Sequence, residues 1–360
     1  MNYPVYKPLL FGNELEYVND CLNSTWISSK GKYISLFENS FKEFLGLENT
    51  SSVSNGTVAL HLAMLALGIK EDDEVIVPTF TYVASVNAIK FVNAKPVFVD
   101  SDIKDWNIDT TKIENKITPK TKAILAVHLY GASCNMDDLV SICKKHNLFL
   151  IEDVAEGFGT KFNGKYAGSF GDVSTFSFFG NKTITTGEGG MVASKQKLII
   201  EKVNHLKSQA VSKDLEYWHD SVGYNYRMTN ICAAIGYAQI QNAEKILNLK
   251  NSVAQLYKRE LKDTNLIFQK ESKKSYHSYW MVSVLFKSKK IKDKIREVLK
   301  SNGIETRPLF YPNHTLPMYE EESNYPVASL LSKSGINLPS YPSLREKDIN
   351  HITKIIKNNL

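Results

Sequence analysis

One lysine, Lys182, sits in the stretch FSFFGNKTITTGEGG (176–190), in a run with no other charge until Glu188. The aromatic-rich residues before it read as strand, and the glycine cluster after it reads as turn. Most lysines occupy solvated faces, and withdrawing an ammonium from water is costly. A lysine here is therefore half of a buried ion pair or a nucleophile whose pKa has been lowered. Three other stretches offer reactive groups. In SVSNGTVALHLAMLALGI (52–69), Ser54, Asn55, Gly56 and Thr57 precede a strongly periodic helical segment. Free N–H groups at such a start can hold an anion; the plainer use is an ordinary N-cap. Tyr82, in PTFTYVAS (78–85), can stack on a flat ring or fill the core. LFLIEDVAEGFG (148–159) ends an apolar run in Glu152 and Asp153, with Glu156 three residues on. A carboxylate there needs a cation, supplied by a ligand or by a structural salt bridge. Ser177, beside the lysine loop, can donate to an anion.

These groups need a scaffold that brings them together. Strand-like DEVIVP (73–78), KPVFVD (95–100), KAILAVHLYG (122–131), LFLIEDV (148–154), STFSFF (174–179) and GGMVAS (189–194) alternate with helical TYVASVNAIKFV (81–92) and MDDLVSICKKHN (136–147). That order predicts an α/β layer structure with a mainly parallel sheet, whose ligands collect at the carboxyl ends of the strands. After YRMTN a long helical stretch runs to about Leu261, with a break expected near 246–250 at NLKN. YWMVSVLF (279–286), KIREVLKSNG (294–303) and a terminal helix from about Asp348 predict a smaller α+β unit. The expected division is a large domain over 1–247 and a small C-terminal domain over 248–360.

Composition narrows the class. With 360 residues, 43% hydrophobic and 23% charged, the chain reads as globular and long enough for two domains. No window approaches about 18 uninterrupted apolar residues, so no membrane span is expected. The opening residues show no basic segment followed by an apolar one, so no secretory signal is read. Cys21, Cys134, Cys143 and Cys232 lie far apart without a CxxC pair, which suits reduced thiols in a cytoplasmic protein and no bound metal. The net charge of +6 arises between Lys258 and Lys300, where 13 Lys+Arg face 5 Asp+Glu. No nucleic-acid motif accompanies that charge, so a solvated lysine-rich face is expected rather than a nucleic-acid partner.

A phosphate cradle, a ring stacker, a carboxylate and a Schiff-base lysine are together what one cofactor requires. Pyridoxal 5'-phosphate acts as an electron sink while its ring nitrogen stays protonated, and a carboxylate such as Asp153 favours that form. The chain resembles the sugar aminotransferase family of fold-type I pyridoxal-phosphate enzymes. The resemblance runs nearly end to end through STWISSKGKYI (24–34), SNGTVALHLA (54–63), PTFTYVASVNAI (78–89), HLYG (128–131), EDVAEGFG (152–159), GDVSTFSFFGNKTITTGEGGM (171–191), GYNYRMTNICAAIG (223–236) and GIETRPLFYPNH (303–314).

The resemblance implies that Lys182 is the catalytic lysine bonded to the cofactor, that Asp153 faces the pyridine nitrogen, and that Glu156 lies near the ring hydroxyl. It implies stacking by Tyr82 and phosphate contacts from Gly56, Thr57 and Ser177. It also implies that Asn225 reaches the phosphate across the interface of a homodimer with shared active sites. Val154 and Gly157 depart from the family pattern without adding a functional group. A related branch carries histidine at the lysine position and deoxygenates sugars; Lys182 implies transamination instead. The implied substrates are a nucleotide-linked keto sugar and L-glutamate. FSFFGNKTITTGEGGM and ETRPLFYP favour the branch acting on GDP-4-keto-6-deoxymannose, a UDP- or dTDP-linked sugar being the alternative. Trp26, Ser28, Arg307, Tyr311 and His314 are candidate sugar or pyrophosphate contacts, each with local packing as its plainer use. Intact Lys182 and Asp153 count against a non-catalytic, cofactor-binding regulator.

Overall fold

A computed structural model describes residues 2–360. In chain order the first strands are β1 (Asn49–Val53), β2 (Glu74–Pro78), β3 (Lys95–Val99), β4 (Thr121–Val127), β5 (Phe149–Asp153), β6 (Lys161–Phe162), β7 (Lys165–Tyr166), β8 (Val173–Ser177) and β9 (Gly190–Ser194). The central sheet has seven strands in the order β1-β9-β8-β5-β4-β2-β3. Every pairing from β8 across to β3 is parallel, and β9 runs against both its neighbours. This is the expected α/β, mainly parallel architecture.

The strands are buried on both faces. On β2, Val75 and Val77 join the core under the helix Gly56–Leu67, while Ile76 joins a second core with Ile124, Leu150, Met136 and Leu139. Side chains alternate across a pleated strand, so each run of Val, Ile, Leu and Ala feeds two layers at once. The sequence reading did not delineate the helices Glu14–Asn23 and Lys32–Leu45; the second packs Phe37 and Phe41 against Phe176 and Phe178 of the lysine segment, and its Tyr33 meets Tyr17 of the first.

The apolar run 122–131 is strand only as far as Val127. Residues Leu129–Gly131 turn beneath the sheet's end, with Tyr130 at φ 55 and Gly131 at φ 104. A Cβ on Gly131 would stand 2.7 Å from the backbone N of Tyr279, so glycine permits that close approach.

The helical stretch before residue 261 does not break at 246–250. It consists of Asn230–Gln241 and Ala243–Glu260, parted at Asn242, and residue 248 lies inside the second helix. NLKN loses no backbone bond there, because Lys250 is turned inward and Leu247 packs in a core. Beyond it come β10 (Ile267–Phe268), β11 (Ser275–Tyr276), β12 (Val282–Leu285), β13 (Arg307–Pro308) and β14 (Gly335–Leu338). Four of them form an antiparallel sheet in the order β10-β12-β14-β13, covered by the helices Lys289–Ser301 and Glu346–Lys357. β11 pairs instead with β6, which also pairs with β7.

The chain's two ends cross between these layers. Asn2 and Tyr3 hydrogen-bond to Gly303 O, and Tyr3 bridges Ile304. In the opposite direction, the helix Pro326–Ser334 is held on the large sheet by Asp100, whose Oδ1 accepts the N–H of Ala328 at 2.9 Å. Among the described residues, no helix is long and apolar enough to cross a membrane.

Candidate active site

The carboxyl ends of β2, β4, β5 and β8, and the turn after β1, converge on a cavity of about 540 Å³. Gly56, Thr57, Tyr82, Asp153, Glu156, Ser177, Lys182 and Arg307 all line it.

Each is placed by its own element. Asn55 caps the helix Gly56–Leu67, its side chain accepting the N–H of Val58 at 3.0 Å. The first-turn N–H groups of a helix have no intrahelical acceptor, so this end of the cavity is prepared for an anion. A Cβ on Gly56 would come within 2.7 Å of Ser177 Cβ. Glycine therefore lets the helix start and the end of β8 meet at one spot.

Neighbouring carboxylates on β5 part company. Glu152 faces away from the cavity, accepting the N–H groups of Gly168, Phe170 and Gly171 and pairing with His128 Nε2 at 3.1 Å. Burial alone would raise its pKa, but the His128 bond and the N–H donors outweigh that and lower it. Asp153, one residue on, projects from the other face into the cavity. Its Oδ2 accepts from Ser85 Oγ at 2.7 Å and its Oδ1 from Ala155 N at 3.0 Å. No cation among the described residues stands within ion-pair distance of it, and burial raises its pKa.

Lys182 keeps 13% of its side-chain exposure, and its Nζ is 4.0 Å from Glu156 Oε1. Burial pushes the lysine pKa down against the opposing pull of Glu156 and Asp153. Burial also pushes Glu156 up to about 7, against the pull of Lys182 and the 2.8 Å hydrogen bond from Tyr130 N. Dehydration thus drives both partners toward their neutral forms. Trp280 covers the amine, its ring centroid 4.0 Å from Nζ, and its Nε1 donates to Asn181 O at 2.7 Å. Tyr82 is half exposed at the cavity mouth, tilted on Phe310 at 5.7 Å between centroids.

Five candidates lie outside the cavity wall. Asn225 is exposed, and its Oδ1 accepts from Arg227 Nη2 at 3.1 Å. Trp26 and Ser28 are exposed, and their carbonyl oxygens accept from the side chain and backbone of Asn230. Tyr311 points to solvent. His314 is buried; its Nδ1 lies 2.7 Å from Thr79 Oγ1 and its ring packs 4.6 Å from Tyr325. Of the two uses read for His314 in the sequence, these contacts are those of local packing, on the turn after β2.

Ser85, Trp280 and Asn337 also line the cavity and were not singled out in the sequence. Ser85 carried a signal of position, one helical turn after Tyr82 in PTFTYVAS. Trp280 and Asn337 carried none, because they arrive from the loop before β12 and from β14, on a different sheet.

The residues fit pyridoxal phosphate. A helix start packed against Ser177 suits its phosphate, a buried carboxylate lacking a cation suits a protonated ring nitrogen, and a half-dry amine suits its aldehyde. The profile of the DegT/DnrJ/EryC1/StrS aminotransferase family matches residues 10–357. The chain belongs to this family, and pyridoxal phosphate is the family's cofactor. It is 56% identical to GDP-perosamine synthase of Escherichia coli O157:H7, over 98% of this chain and 97% of that protein. It is 52% identical to GDP-perosamine synthase of Vibrio cholerae, over 99% and 98%. The PLP-form of the Streptococcus pneumoniae protein Spr1654 superposes with a TM-score of 0.94 at 25% identity, covering 99% of each chain. The architecture is that of fold-type I aminotransferases.

Proposed function

We propose that this chain transfers the amino group of L-glutamate to carbon 4 of GDP-4-keto-6-deoxy-D-mannose, making GDP-perosamine for O-antigen synthesis in the cytoplasm. The chemistry rests on one observation: Lys182, Asp153 and the Gly56 helix start share one cavity. The substrate rests on the two relatives above 50% identity, both GDP-perosamine synthases matched over nearly their whole length.

Bound pyridoxal phosphate would supply an aldehyde that takes up the amino group and a cationic ring that withdraws electrons. The protein's residues do the rest. Asp153, oriented by Ser85 and Ala155 N, holds a proton on the ring nitrogen through a charge-assisted hydrogen bond. Lys182 Nζ, once displaced by the donor, takes the proton from the donor's α-carbon and later returns one to carbon 4 of the sugar. Burial serves that task, because a general base must be neutral at working pH. Trp280 shields the amine from water. Gly56, Thr57 and Ser177 anchor the phosphate, and Tyr82 flanks the ring at the mouth.

In this reading the 1–247 unit carries the cofactor, and the 248–360 unit closes the cavity with Trp280, Arg307 and Asn337. Arg307 supplies a positive group for the diphosphate or the donor carboxylate. Two copies of the chain form the working enzyme. Asn225 stands outside its own cavity, and Leu215, Tyr217, Trp218 and Val222 nearby are exposed apolar groups of the kind a partner covers.

The test is product analysis. Purified enzyme, cofactor and L-glutamate are incubated with GDP-4-keto-6-deoxymannose and with the UDP- and dTDP-linked 4-keto-6-deoxy sugars, and products are identified by mass and proton NMR. An amine at carbon 4 of the GDP sugar is expected; turnover only with a UDP or dTDP sugar removes the substrate assignment and leaves the chemistry.

A further inference from the structure

Lys250 lies in the helix Ala243–Glu260 and is 1% exposed. Its Nζ donates to Trp280 O at 3.1 Å and Ser340 O at 2.9 Å, and it stands 4.9 Å from the centroid of the Tyr6 ring. No carboxylate among the described residues lies within ion-pair distance. Burial pushes its pKa down to about 7. A methionine would fill the same space without desolvating a charge. The ammonium is worth explaining by what it holds.

It holds three chain segments that are also tied to one another. Ser340 N donates to Val5 O at 3.0 Å, and Val282 N donates to Ser340 Oγ at 2.8 Å. Two of these segments reach the lysine loop. Tyr6 Oη donates to Lys182 O at 2.5 Å. Trp280 Nε1 donates to Asn181 O, and its ring lies over Lys182 Nζ. Both backbone carbonyls flanking the amine's attachment are thus gripped by aromatic side chains; Lys250 meets one of these residues, Tyr6, at its ring and the other, Trp280, at its backbone carbonyl.

We propose that Lys250 is a positioning residue: it holds Tyr6 and Trp280 as one unit against Asn181 and Lys182, and so sets where the Lys182 amine stands in the cavity. The proposal rests on the reading of Lys182 as the lysine that bonds the cofactor. Replacing the ammonium with an apolar group of equal length leaves two buried carbonyls without their donor and releases the ring of Tyr6. The tryptophan then loses its fixed height over the amine.

Lys250→Met in the holoenzyme is the direct test. Three readouts are taken: steady-state kinetics, the pH at which the absorbance of the bound cofactor changes, and thermal stability. We expect kcat to fall about tenfold while KM for either substrate moves less than about twofold, the pattern of a misplaced reacting group. The absorbance midpoint should shift by about half a pH unit, because the amine's surroundings differ. Trp280→Phe keeps an aromatic ring and removes one grip. Adding Lys250→Met to it should cost clearly less than Lys250→Met alone, since residues acting through one contact are not additive. A full, additive loss in that background overturns the proposal.

Tyr6→Phe removes only the hydroxyl that grips Lys182 O, and it decides the matter should Lys250→Met fail to fold. It should move the absorbance midpoint in the same direction with its melting temperature within about 2 °C of the parent. An unchanged midpoint in both Tyr6→Phe and Trp280→Phe overturns the proposal. A parent enzyme with no cofactor absorbance band at all would overturn the Lys182 reading instead, so the two failures are distinct.

Discussion

Lys182 and Lys250 are both nearly dry, yet their walls differ. Lys182 faces two carboxylates and a cavity of about 540 Å³. Lys250 faces two backbone carbonyls and the ring of Tyr6 and is 1% exposed. Burial lowers the pKa of both. Desolvation alone therefore does not mark a reactive amine. Chemistry needs an opening through which a reactant arrives and charges that respond to its arrival. Carbonyl dipoles in a closed pocket hold an ammonium in place and offer it nothing to react with.

The sharpest break in this comparison is deletion of the reactive amine. Lys182→Ala should abolish both half-reactions, with single-turnover rates down by about a thousandfold or more. Circular dichroism should stay native, since the side chain leaves into a cavity. Residual activity near the parent's would move the chemistry to another group. Next is Asp153→Asn, which keeps the shape and the Ser85 contact but removes the charge. A loss of about a hundredfold in kcat is expected, the order seen when one electrostatic stabiliser of a transition state is removed. Cofactor should still bind through the Gly56 helix start, which equilibrium absorbance measurements would check.

A smaller effect separates the two lysines by stability. The folded pKa of Lys250, about 7, lies below its unfolded value of 10.5. Between those values the unfolded chain binds the extra proton, so this group makes stability rise with pH. The Lys250→Met protein lacks that term. Its melting temperature relative to the parent should be highest near pH 7 and decline toward pH 10, as the parent's penalty fades. Lys182 follows the same direction only in the cofactor-free protein, because the cofactor takes over its titration.

The smallest effect concerns His277, buried with its ring stacked on Tyr279. Tyr279 N donates to its Nδ1 at 2.9 Å, which leaves Nε2 to donate to Gln269 Oε1 at 3.1 Å. Burial pushes its pKa down to about 3 from 6.5. The unfolded chain takes up that proton first, so stability is full above pH 6.5 and is lost as pH falls toward 3. His277→Gln should flatten part of this acid decline in melting temperature; an unchanged slope would remove His277 as its source.

Much of the scaffold was readable because local pattern and tertiary use coincide. Continuous apolar runs such as AILAV became strands buried on both faces, and Asn55 before a periodic segment became the cap of the helix at the cavity. Where local pattern and tertiary use diverge, reading failed. HLYG reads as the end of the apolar strand run, yet the chain turns there, where Gly131 closely approaches the backbone of Tyr279. His314 was open between substrate contact and packing, and its ring is found against Thr79 and Tyr325, partners that no spacing along the chain announced. By residue type alone Glu152 and Asp153 were alike, the family resemblance singled out Asp153, and the pleat of β5 sends Glu152 to a structural network and Asp153 to the cavity.

By itself, the sequence determined the mainly parallel α/β alternation between residues 73 and 194, the presence of one lysine in an apolar glycine-flanked loop, and the family. Those properties follow from neighbours along the chain, where spacing and side-chain type act directly. Only the tertiary structure decided that Asn337 and Arg307 of a second sheet, with Trp280 from the loop leading into it, wall the cavity, that Ser85 orients Asp153, and that a buried ammonium 68 positions after Lys182 braces its surroundings. Burial and hydrogen bonding between distant segments depend on how two sheets dock, and no local periodicity encodes that meeting.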